Sequence, residues 1–211
     1  MTCLKERFGP TKHEVWQQFC SEIASDIVQC YIWQGEKLVI KQNQWMIILD
    51  TYNRQLATHN GIVNYTYTRI SSPYTNPDEF HFAIYRKGLY KNLGKFFGME
   101  NIRLGNAWLD EHFSIETNNY HKARQLFANP KIIKLMQLQT TSHWYSKNDE
   151  GWFGTCFAEG IDELYFQTHG IIKNVERLKA LFELFAQTLN YISHGESLKK
   201  EINRVVVGKN C

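Results

Sequence analysis

The feature that most constrains this chain is an apolar stripe near its end, where Val175, Leu178, Phe182, Phe185, Leu189 and Ile192 recur at alternating steps of three and four residues. That spacing predicts an amphipathic helix. Asn174 stands where an N-cap is needed, and about 20 helical residues would span roughly 30 Å. A coiled coil would use a narrow seam. Leu181 and Leu184 widen the stripe, so the helix is expected to lie on a broad surface of its own chain.

The preceding residues must supply that surface. Thr11 with Glu14 matches a capping box, and Val15, Trp16, Phe19, Ile23 and Ile27 then predict a helix over 11–28. From about 30 the period shortens to that of strands. Residues 30–33 and 37–41 flank Gln34-Gly35-Glu36 as a hairpin, and the apolar run 45–52 suits a strand covered on both faces. Strands are expected at 62–70 and 79–86, separated by a loop rich in Ser, Pro, Asn and Asp. A short helix at 89–97 and an irregular stretch at 98–111 follow. The pattern then predicts a strand at 112–117 and a helix capped by Asn118 or Asn119. A second helix restarts at Asn129-Pro130, where proline suits the first position. Strands near 142–146, 152–157 and 162–169 precede the last helix.

Strands in runs indicate an α+β fold: a mainly antiparallel sheet, an N-terminal helix, a central helical pair and a long C-terminal amphipathic helix packed on the sheet. The chain reads as one domain over 1–211, with 98–111 the place where subdomains 1–100 and 101–211 would meet.

Composition narrows the partners. A net charge of +3 is too mild for a nucleic-acid binder or a protein of anionic membrane surfaces. Cys3, Cys20, Cys30, Cys156 and Cys211 are odd in number and scattered, which predicts free thiols and a cytoplasmic chain. The charged N-terminus does not resemble a signal peptide, and no apolar run is long enough to cross a membrane.

The motif survey is negative. Gly88–Phe96 has five residues between its glycines and Phe96 where a phosphate loop needs a hydroxyl. Asp110-Glu111-His112 offers three metal ligands on an expected strand, but without distant partners it reads as a solvated edge. Cys156 reads as a buried apolar residue rather than a nucleophile. No catalytic, cofactor-binding or metal-ligating residue is assigned.

Two features remain. Arg86, Lys87, Lys91 and Lys95 interleave with aromatics, and the two lysines four residues apart share a helical face. Arg86 aligns with Phe80, Phe82 and Ile84 on one strand, and Arg69 with Val63, Tyr65 and Tyr67 on another. A guanidinium on an apolar face must find a carboxylate or form an anion pocket. Arg69, Arg86, Lys87, Lys91 and Lys95 are therefore the candidate anion- or ligand-binding residues.

Tyr65-Thr66-Tyr67-Thr68-Arg69, Pro73-Tyr74-Thr75-Asn76-Pro77-Asp78 and Phe80-His81-Phe82-Ala83-Ile84-Tyr85-Arg86 together resemble an uncharacterised bacterial protein family. The resemblance extends through Leu93–Met99, Asp110–Phe113 and Gly170–Lys173, covering roughly residues 45–190. It implies a bacterial, cytoplasmic chain and one continuous fold, and it transfers no activity. The expected function is a non-enzymatic binding or interaction protein with an apolar or anionic pocket, without cofactor. Its partner would be a small ligand or a protein, and its state monomer or weak homodimer. An enzyme of hydrolase-like type, with a site assembled from distant residues, is the alternative.

Overall fold

The computed structural model of the chain describes residues 9–33, 37–59, 61–87, 100–139, 142–148 and 158–193. The Gln34–Glu36 turn, the expected helix at 89–97 and the expected strand at 152–157 lie outside the described residues.

Local capping chemistry sets the helices. Thr11 accepts a hydrogen bond from the Glu14 amide while Glu14 reaches back to the Thr11 N–H, opening α1 (Lys12–Ile23). The side chains of Asn106, Asn119, Asn129 and Asn174 each accept from a first-turn amide and so cap α2 (Ala107–His112), α3 (Tyr120–Phe127), α4 (Pro130–Gln137) and α5 (Val175–Ile192). α1 is shorter than its periodicity implied. Ala24 leaves helical geometry, Ser25 and Val28 exchange backbone hydrogen bonds, and Ile27 is 63% exposed instead of facing the core.

The strands are β1 (Val28–Trp33), β2 (Lys37–Gln42), β3 (Trp45–Thr58), β4 (Gly61–Thr75), β5 (Phe82–Arg86), β6 (Glu100–Ile102), β7 (Phe113–Thr117), β8 (Ser142–Asn148) and β9 (Ile161–His169). They form one nine-stranded sheet in the order β1-β2-β3-β4-β9-β8-β5-β7-β6, and every pairing between neighbours is antiparallel. The expected α+β architecture is therefore present, and the sheet draws strands from both halves of the chain. β3 and β4 outrun their neighbours. β2 opposes β3 only as far as Leu49 and β9 opposes β4 only from Thr68, yet the hairpin continues to the Thr58–Gly61 pair.

One side of the sheet carries the core. Leu38, Ile40, Ile47, Leu49, Ile70, Phe82, Ile84, Trp144, Leu164 and Phe166 pack there with the large buried apolar side chains of every described helix. α5 buries a wide band including Leu178, Leu181, Phe182, Leu184, Phe185, Leu189 and Ile192, so it lies on its own sheet. α1 joins it through an edge-on Phe19–Phe182 contact and a hydrogen bond from the Trp16 indole to the Ile172 carbonyl at 3.1 Å. Buried Thr68 fastens the link into α5, since its hydroxyl donates to Gly170 O at 2.8 Å and accepts from Ile172 N at 3.0 Å.

Three expectations need correction here. Cys20 and Cys30 are joined by a disulfide from α1 to β1, so they are not free thiols, and they no longer support a cytoplasmic assignment. Cys3, Cys156 and Cys211 lie outside the described residues. Asp110–His112 form the last turn of α2, not a strand. The Asp110 carboxylate accepts from Leu104 N and Gly105 N, and the His112 ring bonds the Trp108 carbonyl, so the triplet is structural. β5 begins only at Phe82, because Glu79 adopts a left-handed φ of 48° and Asn76 bonds both backbone groups of Phe80. No described helix is long and apolar enough to cross a membrane.

The burial pattern yields a direct test. Truncating Phe185 to alanine should cost about 3–5 kcal/mol in a urea unfolding curve. Ile27→Ala should stay within about 0.5 kcal/mol, because that side chain is largely solvated.

Candidate functional site

Alternation along the strands sends every second side chain to the other side of the sheet. In β4 the core side takes Thr68, Ile70, Ser72 and Tyr74, which leaves Arg69 on the opposite side with Tyr65 and Tyr67. The register carries this side across the sheet. Asp50 opposes Arg69, Arg69 opposes Gln167, Gln167 opposes His143, and His143 opposes Tyr85. A second row runs Ser71, Tyr165, Tyr145, Ala83, Glu116. Tyr85, Tyr165, Ala83 and Ile161 are buried yet stand apart from the hydrophobic core cluster. This is a second interior, polar and aromatic, on the side that the described helices leave uncovered.

Hydrogen bonds link its members sideways. Arg69 grips Asp50 with two donors, Nε to Oδ1 at 2.7 Å and a terminal nitrogen to Oδ2 at 2.5 Å, and it lies 5.1 Å over the Tyr52 ring. Tyr52 stacks on Tyr67. Gln167 accepts from the hydroxyls of Tyr52, at 2.5 Å, and Tyr165, at 2.9 Å, and its amide faces His143 Nδ1 at 3.4 Å. Tyr145 stacks on Tyr165 with ring centres 4.7 Å apart. Tyr85 donates its hydroxyl to Glu116 Oε1. Glu116 is 7% exposed, and its other carboxylate oxygen is buried without a hydrogen-bond partner among the described residues.

Burial dominates the electrostatics. It raises the hydroxyl pKa values of Tyr52 and Tyr165, and together with Glu116 it pushes Tyr85 up to about 12. Burial also lowers His143 to about 4, so its ring is neutral at ordinary pH. Burial opposes the charge on Arg69, but the Asp50 hydrogen bonds outweigh it and hold the guanidinium firmly protonated.

Of the described sequence candidates, Arg69 and Arg86 stand on opposite sides of the sheet. Arg69 lies on the side opposite the hydrophobic core, within an ion pair with Asp50. Arg86 follows Tyr85 in β5, so it points to the other side and opposes Phe113. Lys87 bonds the Asp110 carbonyl at 2.5 Å beyond the strand end. Lys91 and Lys95 lie outside the described residues. The residues that do gather around Arg69 escaped the sequence reading, although the alternation of tyrosines through β4 pointed at this side. That reading also missed His81, whose Nε2 sits 2.8 Å from an Asp162 oxygen while its other ring nitrogen faces Asn118 at 3.5 Å. Asn118 and Thr117 also bond the backbone at Glu79 and His81, so this pair fastens the turn before β5. Among the described residues no cluster of three or more His, Cys, Asp or Glu could hold a metal.

No protein-family model matches the chain, and no curated protein matches it. The crystal structure of the mycobacterial trehalose monomycolate transport factor A, TtfA, is similar at a TM-score of 0.41 with 8% identity. The alignment covers 85% of this chain and 93% of that one, and at this score it carries no argument.

Two outcomes follow from the geometry. Arg69→Leu leaves buried Asp50 uncompensated and should cost about 3 kcal/mol, whereas adding Asp50→Leu should recover part of that loss in a double-mutant cycle. For His143, whose folded pKa is lowered from 6.5 to about 4, the unfolded chain binds the proton more readily. Its contribution is complete above about pH 6.5 and declines, at up to about 1.4 kcal/mol per pH unit, as the pH falls toward 4. Urea curves should therefore lose part of their pH dependence over that window in His143→Gln.

Proposed function

We propose that the protein is a non-enzymatic binding protein that holds a small polar ligand on the side of its sheet opposite the hydrophobic core. One observation carries this reading: the Glu116 carboxylate is buried beside the tyrosine-lined rows, and one of its oxygens has no hydrogen-bond partner among the described residues. A buried ionic oxygen without a donor is costly, and a ligand donor would remove that cost. Ala83 stands between Tyr145 and Glu116 in the row, and its single methyl fills less of the space between them than a larger side chain would.

The chemistry favours a neutral or cationic ligand rich in N–H or O–H donors over the anion expected for Arg69. Arg69 already has its counter-charge in Asp50, and a second anion there would meet that carboxylate. Stacked tyrosines offer flat, amphipathic surfaces suited to such a molecule. Catalysis draws less support. The His81–Asp162 pair is committed to a turn, and the ring nitrogen of His143 that faces Gln167 meets an amide rather than a nucleophile.

Native mass spectrometry of freshly purified protein should reveal a co-purified mass, or a panel of alkyl amines and polyols should contain a compound that raises the melting temperature. Glu116→Gln should abolish either effect. A protein with no bound mass and no stabilising compound, or a Glu116→Gln variant that binds equally well, would rule the site out.

A further inference from the structure

A cavity lies among the helices, and Glu116 is not among its lining residues. It is a groove of about 520 Å³ between the loop into α2, the end of α3 and the outer face of α4. That volume falls within the roughly 300–1,000 Å³ of small-molecule sites. Its apolar surface comes from Leu104, Phe127, Pro130 and Ile133. Phe127 is anchored edge-on against Phe82 and Trp144, while Leu104 and Ile133 pack on the core, so this surface is rigid.

The charge of the groove is one-sided. Arg124 and Lys134 line it, and none of its ten lining residues is acidic. The adjacent carboxylate, Asp110, is held by the amides of Leu104 and Gly105, the latter at a φ of 80°, which fixes the rim and uses both oxygens. The other cations of these helices have acidic partners: Lys122 pairs with Asp78 and Lys131 with Glu183. Arg124 and Lys134 enter no ion pair among the described residues. Two cations line one apolar floor, and no acidic residue lines it with them.

We propose that this groove binds a small amphiphilic anion, its carboxylate or phosphate headgroup between Arg124 and Lys134 and its hydrocarbon body on Phe127, Ile133 and Leu104. A guanidinium and an ammonium suit either headgroup, and the apolar floor excludes a fully hydrated one such as free phosphate. The inference is independent of the ligand assigned to the sheet, since no residue is shared.

Isothermal titration calorimetry with decanoate, decyl phosphate and decyltrimethylammonium, each below its critical micelle concentration, tests this on the full chain. One saturable site per chain is expected for decanoate or decyl phosphate, the tighter of the two identifying the headgroup, with the cation at least about tenfold weaker. The double variant Arg124→Gln/Lys134→Gln should lose about tenfold or more for the anion, while its melting temperature stays within about 2 °C because both side chains are exposed. Lys173→Gln, an exposed cation outside the groove, should bind as the parent does. The proposal fails if neither anion binds saturably, if decyltrimethylammonium binds equally well, or if the double variant retains full affinity.

Discussion

Burial of one side of a single sheet beneath α1 and α5 is the contact on which the rest of this structure depends. The wide band of α5 spans the central strands, and Trp16 and Phe19 of α1 close over the next section. Once that side is committed to apolar packing, strand pleating dictates the chemistry of the other. Each residue adjacent in sequence to a core residue in β3, β4, β5, β8 or β9 must emerge opposite. There the chain places tyrosines, Asp50, Arg69, Gln167, His143 and Glu116.

Those polar groups are not scattered. They satisfy one another laterally, from Asp50 through Arg69 and Tyr52 to Gln167 and His143, across the hydrogen-bonding direction of four strands. A polar layer of this kind is stable only while its members remain bonded, because an orphaned buried group costs about as much as a hydrogen bond contributes or more. Glu116, bonded through one carboxylate oxygen to Tyr85, differs in this from the Asp50–Arg69 pair, where both carboxylate oxygens are held. The groove at α3 and α4 is a contrasting arrangement: solvated cations above a fixed apolar floor, with no internal network to satisfy.

Elements whose cause is local could be seen in the sequence. The Thr11 capping box, the Asn129-Pro130 start and the Asn174 cap all act within four residues, and each opens the helix expected of it. The α5 stripe was wide enough to exclude a seam, and it packs on the sheet. Features that depend on distant partners were not visible. Both alternating sets in β4 contain aromatic or β-branched residues, so periodicity could not say which side faced the core, and Arg69 was placed on an apolar face. Ser25 ends α1 through a backbone exchange with Val28, which returns Cys30 to Cys20; ten residues of separation carried no spacing signature for that bond. Arg86 fell on the wrong side for a shared pocket because neither strand reveals its register with the other. Glu116, the residue that now matters most, looked like an ordinary strand carboxylate beside Ile115.

The projecting end of the β3–β4 hairpin sets up a gradient of rigidity. Beyond Tyr52 and Tyr67 the two strands pair with no third strand among the described residues, a hydrogen bond from Gly170 N to Thr66 O marking the last outside tie, and Ile62 near the tip is largely exposed. An isolated two-stranded ribbon is marginal in water, so opening would begin at the tip and spread inward, exposing amide protons to exchange in that order. The stacked Tyr52–Tyr67 rings mark where this fraying meets the nine-stranded body. The border of the tyrosine layer is thus also a border in timescale, with one flank breathing while the other is held.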